Sequence, residues 1–253
     1  MEKNKYLVIN DLIFDMYLWK ELSDIKVNFF QLLRLIVPFS YASIMLKDQS
    51  IKDDVKLTVF KCYPEEFSEA EYRYLTYEYA DDLGWNLYAH ESKVIRESDI
   101  VDEERRFHTP MYKDCYEKYD IYDNLQLTIC YNEELYGVLT LFSTRQQGAY
   151  SAEDMFFLRS VGMHINANMS RLIKSEIAED QEVKASNVDH YLDSLPFTAR
   201  EREIILHLVR FEENKEIADV FGISEHTLQK HLQNLFRKAN VSSKWELLRK
   251  IYY

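Results

Sequence analysis

Residues 196–253 contain three short amphipathic segments separated by tight breaks, and that spacing leaves few ways to fold. Ile204, Ile205, Leu208 and Val209 recur at helical intervals behind Thr198, a natural N-cap with Glu201 three residues on. Ile217, Ala218 and Phe221 repeat the pattern behind Asn214, which can cap a second helix. Gly222 follows, where the chain must turn sharply through a left-handed residue. Ser224 then opens a third segment, in which Leu228, Leu232, Leu235, Phe236 and Ala239 fall at i, i+4, i+7, i+8 and i+11. Small Ala218 allows a close helix crossing, Ile223 plugs the corner, and Leu228 packs back on Ile217. A third helix held this way projects far enough to enter a DNA major groove. Its outer face carries Gln229, Lys230, Gln233, Asn234 and Arg237, side chains that hydrogen-bond base edges and phosphates.

The charge distribution agrees with that placement. The whole chain holds 31 Lys and Arg against 43 Asp and Glu, a net charge of -12. From Leu195 onward there are 10 basic and 8 acidic residues, so the acid excess belongs to the front part and the tail is mildly basic. A polyanion therefore has one place to dock. The three cysteines, Cys62, Cys115 and Cys130, form no C-x-x-C pair, which disfavours a disulfide framework or zinc ribbon and fits a reducing cytoplasm. The N-terminal stretch mixes acids into its apolar residues, unlike a signal peptide, and "FFQLLRLIVPF" is broken by Arg34 and Pro38, so no membrane association is expected.

The front part mixes helix and strand signals. Ile25, Phe29, Leu32, Leu33 and Ile36 share a helical face that Pro38 ends. "YASIML" and "VKLTVFKC" read as strands. Ser68 with Glu71 reads as a capping box opening a helix closed by Gly84. "LQLTICY" and "YGVLTLFS" form an expected antiparallel hairpin, followed by a long helix N-capped by Ser151. Few strands, helices before and after, and no βαβ alternation point to an α+β domain with an antiparallel sheet. "YLVINDLIFD" imitates the first strand of a receiver domain, but the alternation such a domain needs is missing. Residues 1–175 are read as a sensory domain, 176–194 as a polar linker and 195–253 as the tail domain. Met155, Leu158, Gly162, Ile165, Met169 and Leu172 alternate at three and four, a seam expected to join two copies into a homodimer, unless it packs on its own sheet.

The segments "FTAREREIILHLV", "NKEIADVFGISEHTLQKHLQNLFRKANV" and "SSKWEL" resemble the LuxR-type helix-turn-helix domain of bacterial transcription regulators, from about Leu195 to the end. The resemblance implies an all-α, four-helix DNA-binding domain whose third helix reads the major groove of double-stranded DNA and whose fourth often pairs subunits. By position it implies that Gln229, Lys230 and Gln233 face bases, that Lys215, Thr227 and Lys238 face phosphates, and that Arg237 lies at the rim. His231 matches the family's usual histidine. Gln229 stands where the family usually has Lys, and Phe211 where it usually has Gly. Glu212 and Glu213 bring acid to a loop near the phosphates.

Roughly residues 20–172 resemble a GAF-like sensory domain, on "ESD", the Tyr112 helix, the strand entry at Asp123, "YGVLTLF" and "GAYSAEDMFFL". That resemblance implies a central antiparallel sheet with a pocket between it and overlying helices and loops. Trp85 and Tyr112 would roof this pocket, either as contacts to an unidentified small-molecule effector or as ordinary core. His90, His108, His164, Cys62 and Cys130 show no haem-ligation spacing, no metal cluster or cofactor motif is present, and no catalytic motif is found. The expectation is a non-enzymatic, cytoplasmic DNA-binding regulator. The alternative is a sensory module that acts on a protein partner and has a weakly binding tail.

Overall fold

The computed structural model describes residues 2–51, 54–76 and 91–252. Two compact units divide it, Met1–Ser175 and Glu176–Tyr253. No described helix is long and apolar enough to cross a membrane.

The first unit is built on five strands: β1 (Tyr41–Lys47), β2 (Leu57–Tyr63), β3 (Val94–Arg96), β4 (Ile121–Tyr131) and β5 (Glu134–Thr144). They lie in the order β2-β1-β5-β4-β3 with every pairing antiparallel. The β4–β5 hairpin turns on Asn132 and Glu133, both left-handed at φ 53° and 63°. Two such residues in succession twist the turn in the same sense as the strands. Gly137 is obligatory for a different reason: a Cβ there would stand 2.1 Å from the carbonyl oxygen of Met45 on β1.

Around the sheet lie α1 (Glu2–Leu18), α2 (Val27–Ile36), α3 (Ser68–Thr76), α4 (Glu103–Phe107) and the first part of α5 (Ala152–Ser194). Alternation sends Leu125, Leu127 and Ile129 of β4 to one face, joined by Leu139 and Leu141 of β5, all buried. α5 covers this face so closely that a Cβ on Gly162 would meet Leu127 Cδ1 at 3.0 Å. Leu158, Ile165, Met169 and Leu172 are buried with it. The stripe expected as a seam between copies is thus occupied by the protein's own core. On the opposite face, α3 and a π-helical turn (Tyr112–Tyr116) enclose Phe67, Tyr112, Tyr116 and Phe142.

"YLVINDLIFD" lies within α1, whose Leu12 and Met16 are buried. Two further expectations change. The segment expected as a linker is helical to Ser194, and its Val188 and Leu192 enter the core of the second unit, which its polarity concealed. Glu71 does not cap α3. Its side chain is buried, with Oε2 accepting the Tyr116 hydroxyl at 3.5 Å. Gly84 lies outside the described residues.

Beneath α4 sits a buried ionic cluster. Arg106 Nη1 donates to Glu97 Oε2 at 3.0 Å and to Asp123 Oδ1 at 3.4 Å, and all three residues are buried. Asp123 also accepts from the Ser98 N–H and hydroxyl and from the N–H groups of Asn124 and Tyr150. Burial pushes the Glu97 carboxyl above its ordinary range, and Arg106 offsets only part of this. One cation therefore holds two buried acids together. Arg106→Met should leave them facing each other and lower stability by about 3–5 kcal/mol in urea unfolding. A loss below about 1 kcal/mol would show that the cluster is not a structural tie.

Candidate nucleic-acid interface

The second unit contains α6 (Ala199–Val209), α7 (Asn214–Val220), α8 (Glu225–Ala239) and α9 (Lys244–Tyr252). Its core is the expected set, Ile204, Ile205, Leu208, Ile217, Ala218, Leu228, Leu232, Leu235 and Ala239, extended by Leu247 and Ile251 of α9. Thr198 and Glu201 cap α6 reciprocally. Gly222 has φ 61°, as the turn between α7 and α8 requires, and the Ile223 N–H closes that turn on Ala218 O at 3.0 Å. Ser224 caps α8 through the Thr227 N–H at 3.2 Å. The cap of α7 is Glu213, not Asn214: its side chain and that of Glu216 form the reciprocal pair, and Asn214 is the first helical residue.

With its inner stripe in the core, α8 turns Gln229, Lys230, Gln233, Asn234 and Arg237 outward, and all are exposed. Arg237 Nη2 donates to Asn234 Oδ1 at 3.2 Å, which joins two of them. Lys215 is exposed on the first turn of α7. Thr227 is half-buried, its hydroxyl 2.9 Å from Ser224 Oγ at the start of α8. His231 is half-buried at the edge of the outer face. The structure thus brings Gln229, Lys230, Gln233 and Arg237 onto one exposed face of one helix, with hydrogen-bonding groups and positive charge side by side.

Lys238 is placed differently. Its Nζ lies 2.6 Å from Glu201 Oε2 and 3.3 Å from Pro196 O, so its charge is already matched inside the domain. Burial pushes the Glu201 carboxyl up. The Lys238 ammonium and the Thr198 N–H and hydroxyl outweigh it, leaving the carboxyl below its ordinary range. The sequence does not announce this pair, because Glu201, read there as a helix cap, receives it from 37 residues away.

The other departures are explained by the backbone. Phe211 has φ 62°, the left-handed conformation that suits Gly, and its exposed ring lies 6.2 Å from Trp245. Glu212 Oε2 is held 2.7 Å from His207 Nδ1, and Lys244 donates to Glu212 O at 2.9 Å, so this acid is turned toward α6 and α9. Of the two expected ligand contacts in the front domain, Tyr112 is buried in the aromatic cluster beneath α3, and Trp85 lies outside the described residues.

Comparison with known proteins gives a match over the tail domain. Residues 195–251 match the family described as bacterial regulatory proteins, luxR family. The nitrate/nitrite response regulator protein NarP of Escherichia coli is 36% identical over 78 residues, spanning 26% of this chain and 36% of that protein. The chain therefore matches little more than a third of that relative's length. Solved structures similar in fold include Escherichia coli SdiA, 14% identical with a TM-score of 0.47 over 97% of this chain and 95% of that one. The GAF domain of a two-component sensor histidine kinase from Bacillus halodurans is 20% identical with a TM-score of 0.45 over 62% of this chain and 99% of that one.

Two lysines that sequence reading treats alike should separate on mutation. Lys238→Ala strips a buried carboxylate of its cation and should cost the tail about 1–3 kcal/mol, whereas exposed Lys215→Ala should stay within about 0.5 kcal/mol. Because the folded carboxyl is lowered, the Glu201 contribution is fully present above its ordinary value of 4.5 and is lost as pH falls through the folded value. Hydrogen exchange of α6 and α8 amides, at neutral and acid pH, measures both effects.

Proposed function

We propose that this chain is a cytoplasmic DNA-binding transcription regulator, with the tail domain laying the outer face of α8 in a major groove and the front domain sensing a small molecule. The observation that carries the reading is the division of α8 into two faces. Leu228 and Leu235 are wholly buried, while Gln229, Lys230, Gln233 and Arg237 stand outside without an apolar residue among them. The match of 195–251 to a family of bacterial regulatory proteins supports the same role. The acidic front domain keeps non-specific attraction to DNA low, so binding depends on the α8 face.

Two-fold symmetric operators favour a homodimer. The stripe on α5 is taken up by the sheet, so the pairing surface is proposed elsewhere in the front domain. α1 exposes Phe14, Tyr17 and Leu18, and α5 exposes Phe156 and Met163. The Tyr17 hydroxyl lies 3.2 Å from His164 Nδ1, which places the two helices side by side and their exposed apolar residues on neighbouring surface. Sedimentation at tens of micromolar should give a dimer, and the double variant Phe14→Glu with Met163→Glu should give a folded monomer. A wild-type monomer, with and without DNA, would remove the dimer from the proposal.

The DNA reading is tested by selecting genomic fragments and measuring their affinity for variants. Gln229→Ala and Lys230→Ala should each cost about 1–3 kcal/mol at a preferred base pair and alter sequence preference. If both leave affinity and preference unchanged in a folded protein, α8 does not read DNA, and action on a protein partner becomes the better account.

A further inference from the structure

The face of the sheet beneath α3 carries a row that an apolar core does not need. Ser43 on β1 pairs in register with Cys62 on β2 and with Thr140 on β5, and Thr140 pairs with Gln126 on β4. Directly paired residues place their side chains on the same face, so three polar side chains and the Cys62 thiol lie abreast across four strands. Ser43 is 1% exposed and Thr140 7%. The neighbouring rows are mainly apolar, with Tyr41 paired to Phe142 on one side and Met45 to Val138 on the other.

Above this row stands Glu71, 1% exposed. Its Oε2 accepts from Tyr116, but Oε1 has no hydrogen bond, and neither does Ser43 Oγ. Ser43 lies near enough to favour the charged carboxyl without completing a bond. Among the described residues no Lys or Arg pairs with Glu71, and burial pushes the carboxyl up to about 7. Cys62 faces the same acid, and burial together with that charge raises its thiol to about 12, so it remains neutral. Aromatic walls stand close: Tyr41 stacks on Phe67 at 4.8 Å, and Phe67 lies 6.4 Å from Tyr116. An unpartnered buried carboxylate oxygen costs more than a typical hydrogen bond gains, and such groups mark a missing partner.

We propose that Glu71 and Ser43 form the recognition end of the front domain's small-molecule site, and that the ligand carries a cationic amine head. The unpartnered Glu71 atom is an acceptor and the Ser43 hydroxyl can also accept. The complement is a group with several N–H donors and a positive charge, which the aromatic faces also favour. A carboxylate or phosphate head would be repelled by Glu71. This inference rests on the sensory reading of the front domain and adds the chemistry of its ligand.

The test is calorimetry on the full chain at pH 8, with methylammonium, ethanolamine and putrescine as probes and ethylene glycol and acetate as neutral and anionic controls. At least one amine should bind saturably and the controls should not. Glu71→Gln should weaken that binding more than tenfold, as loss of a charge-assisted hydrogen bond implies, while leaving the melting temperature unchanged or raised. Ser43→Ala should weaken it severalfold and carries the test if Glu71→Gln fails to fold. Absence of amine binding, equal binding of acetate, or undiminished binding by the variants would overturn the proposal. DNA affinity measured without amines separates the two readings: intact DNA binding with no amine binding removes only this inference, and the converse removes only the regulator.

Discussion

The geometry of the tail domain depends on one carboxylate. Glu201 accepts the Thr198 N–H at 2.7 Å, which closes the first turn of α6, and it accepts Lys238 Nζ at 2.6 Å from the last turn of α8. A single buried group thus pins the start of one helix to the end of another. The buried apolar residues of the two helices, Ile204, Ile205, Leu235 and Ala239 among them, share one core whose attraction is non-directional and tolerates sliding. The ion pair does not, because a charged hydrogen bond weakens steeply with distance and angle. What Gln229 and Lys230 can reach outside follows from where Glu201 holds the helix inside.

The front domain shows the same logic with a different balance. Around Asp123 every buried acid finds donors, and the cluster ties the turn at Glu97, α4 and β4 together. Around Glu71, one face of the same sheet away, the donors are incomplete. One acid is used for structure and the other keeps unfilled bonding capacity. A buried polar group with that capacity is expensive, and folds retain such groups where something else supplies the remaining bonds.

Much of the tail was legible in the chain because its signals are local. Caps at Thr198 and Ser224, the left-handed Gly222 and the apolar stripe of α8 each depend on residues within a turn or two. The errors came where a residue's role is set from far away. Glu71 carries the spacing of a helix cap, yet Tyr116, 45 residues on, holds it inward. Lys238, expected on the outer side toward phosphates, also reaches Glu201, a pairing that the sequence does not show. Gly162 and its neighbours have the period of a seam between helices, and that period cannot tell a partner helix from a sheet. The segment 176–194 is too polar to announce a helix, yet Val188 and Leu192 are buried in a core and Tyr191 packs against it.

The π-helical turn at Tyr112–Tyr116 has a consequence for length rather than identity. Such a turn holds one residue more than an α-helical turn. Removing one residue there would let the turn close at the α-helical pitch, because the wide turn absorbs its extra residue within itself. The chain beyond would keep its facing, and only the residues inside the turn would be reassigned. A one-residue deletion here would therefore be absorbed locally, whereas one in an ordinary α-helix turns everything beyond it by about 100°.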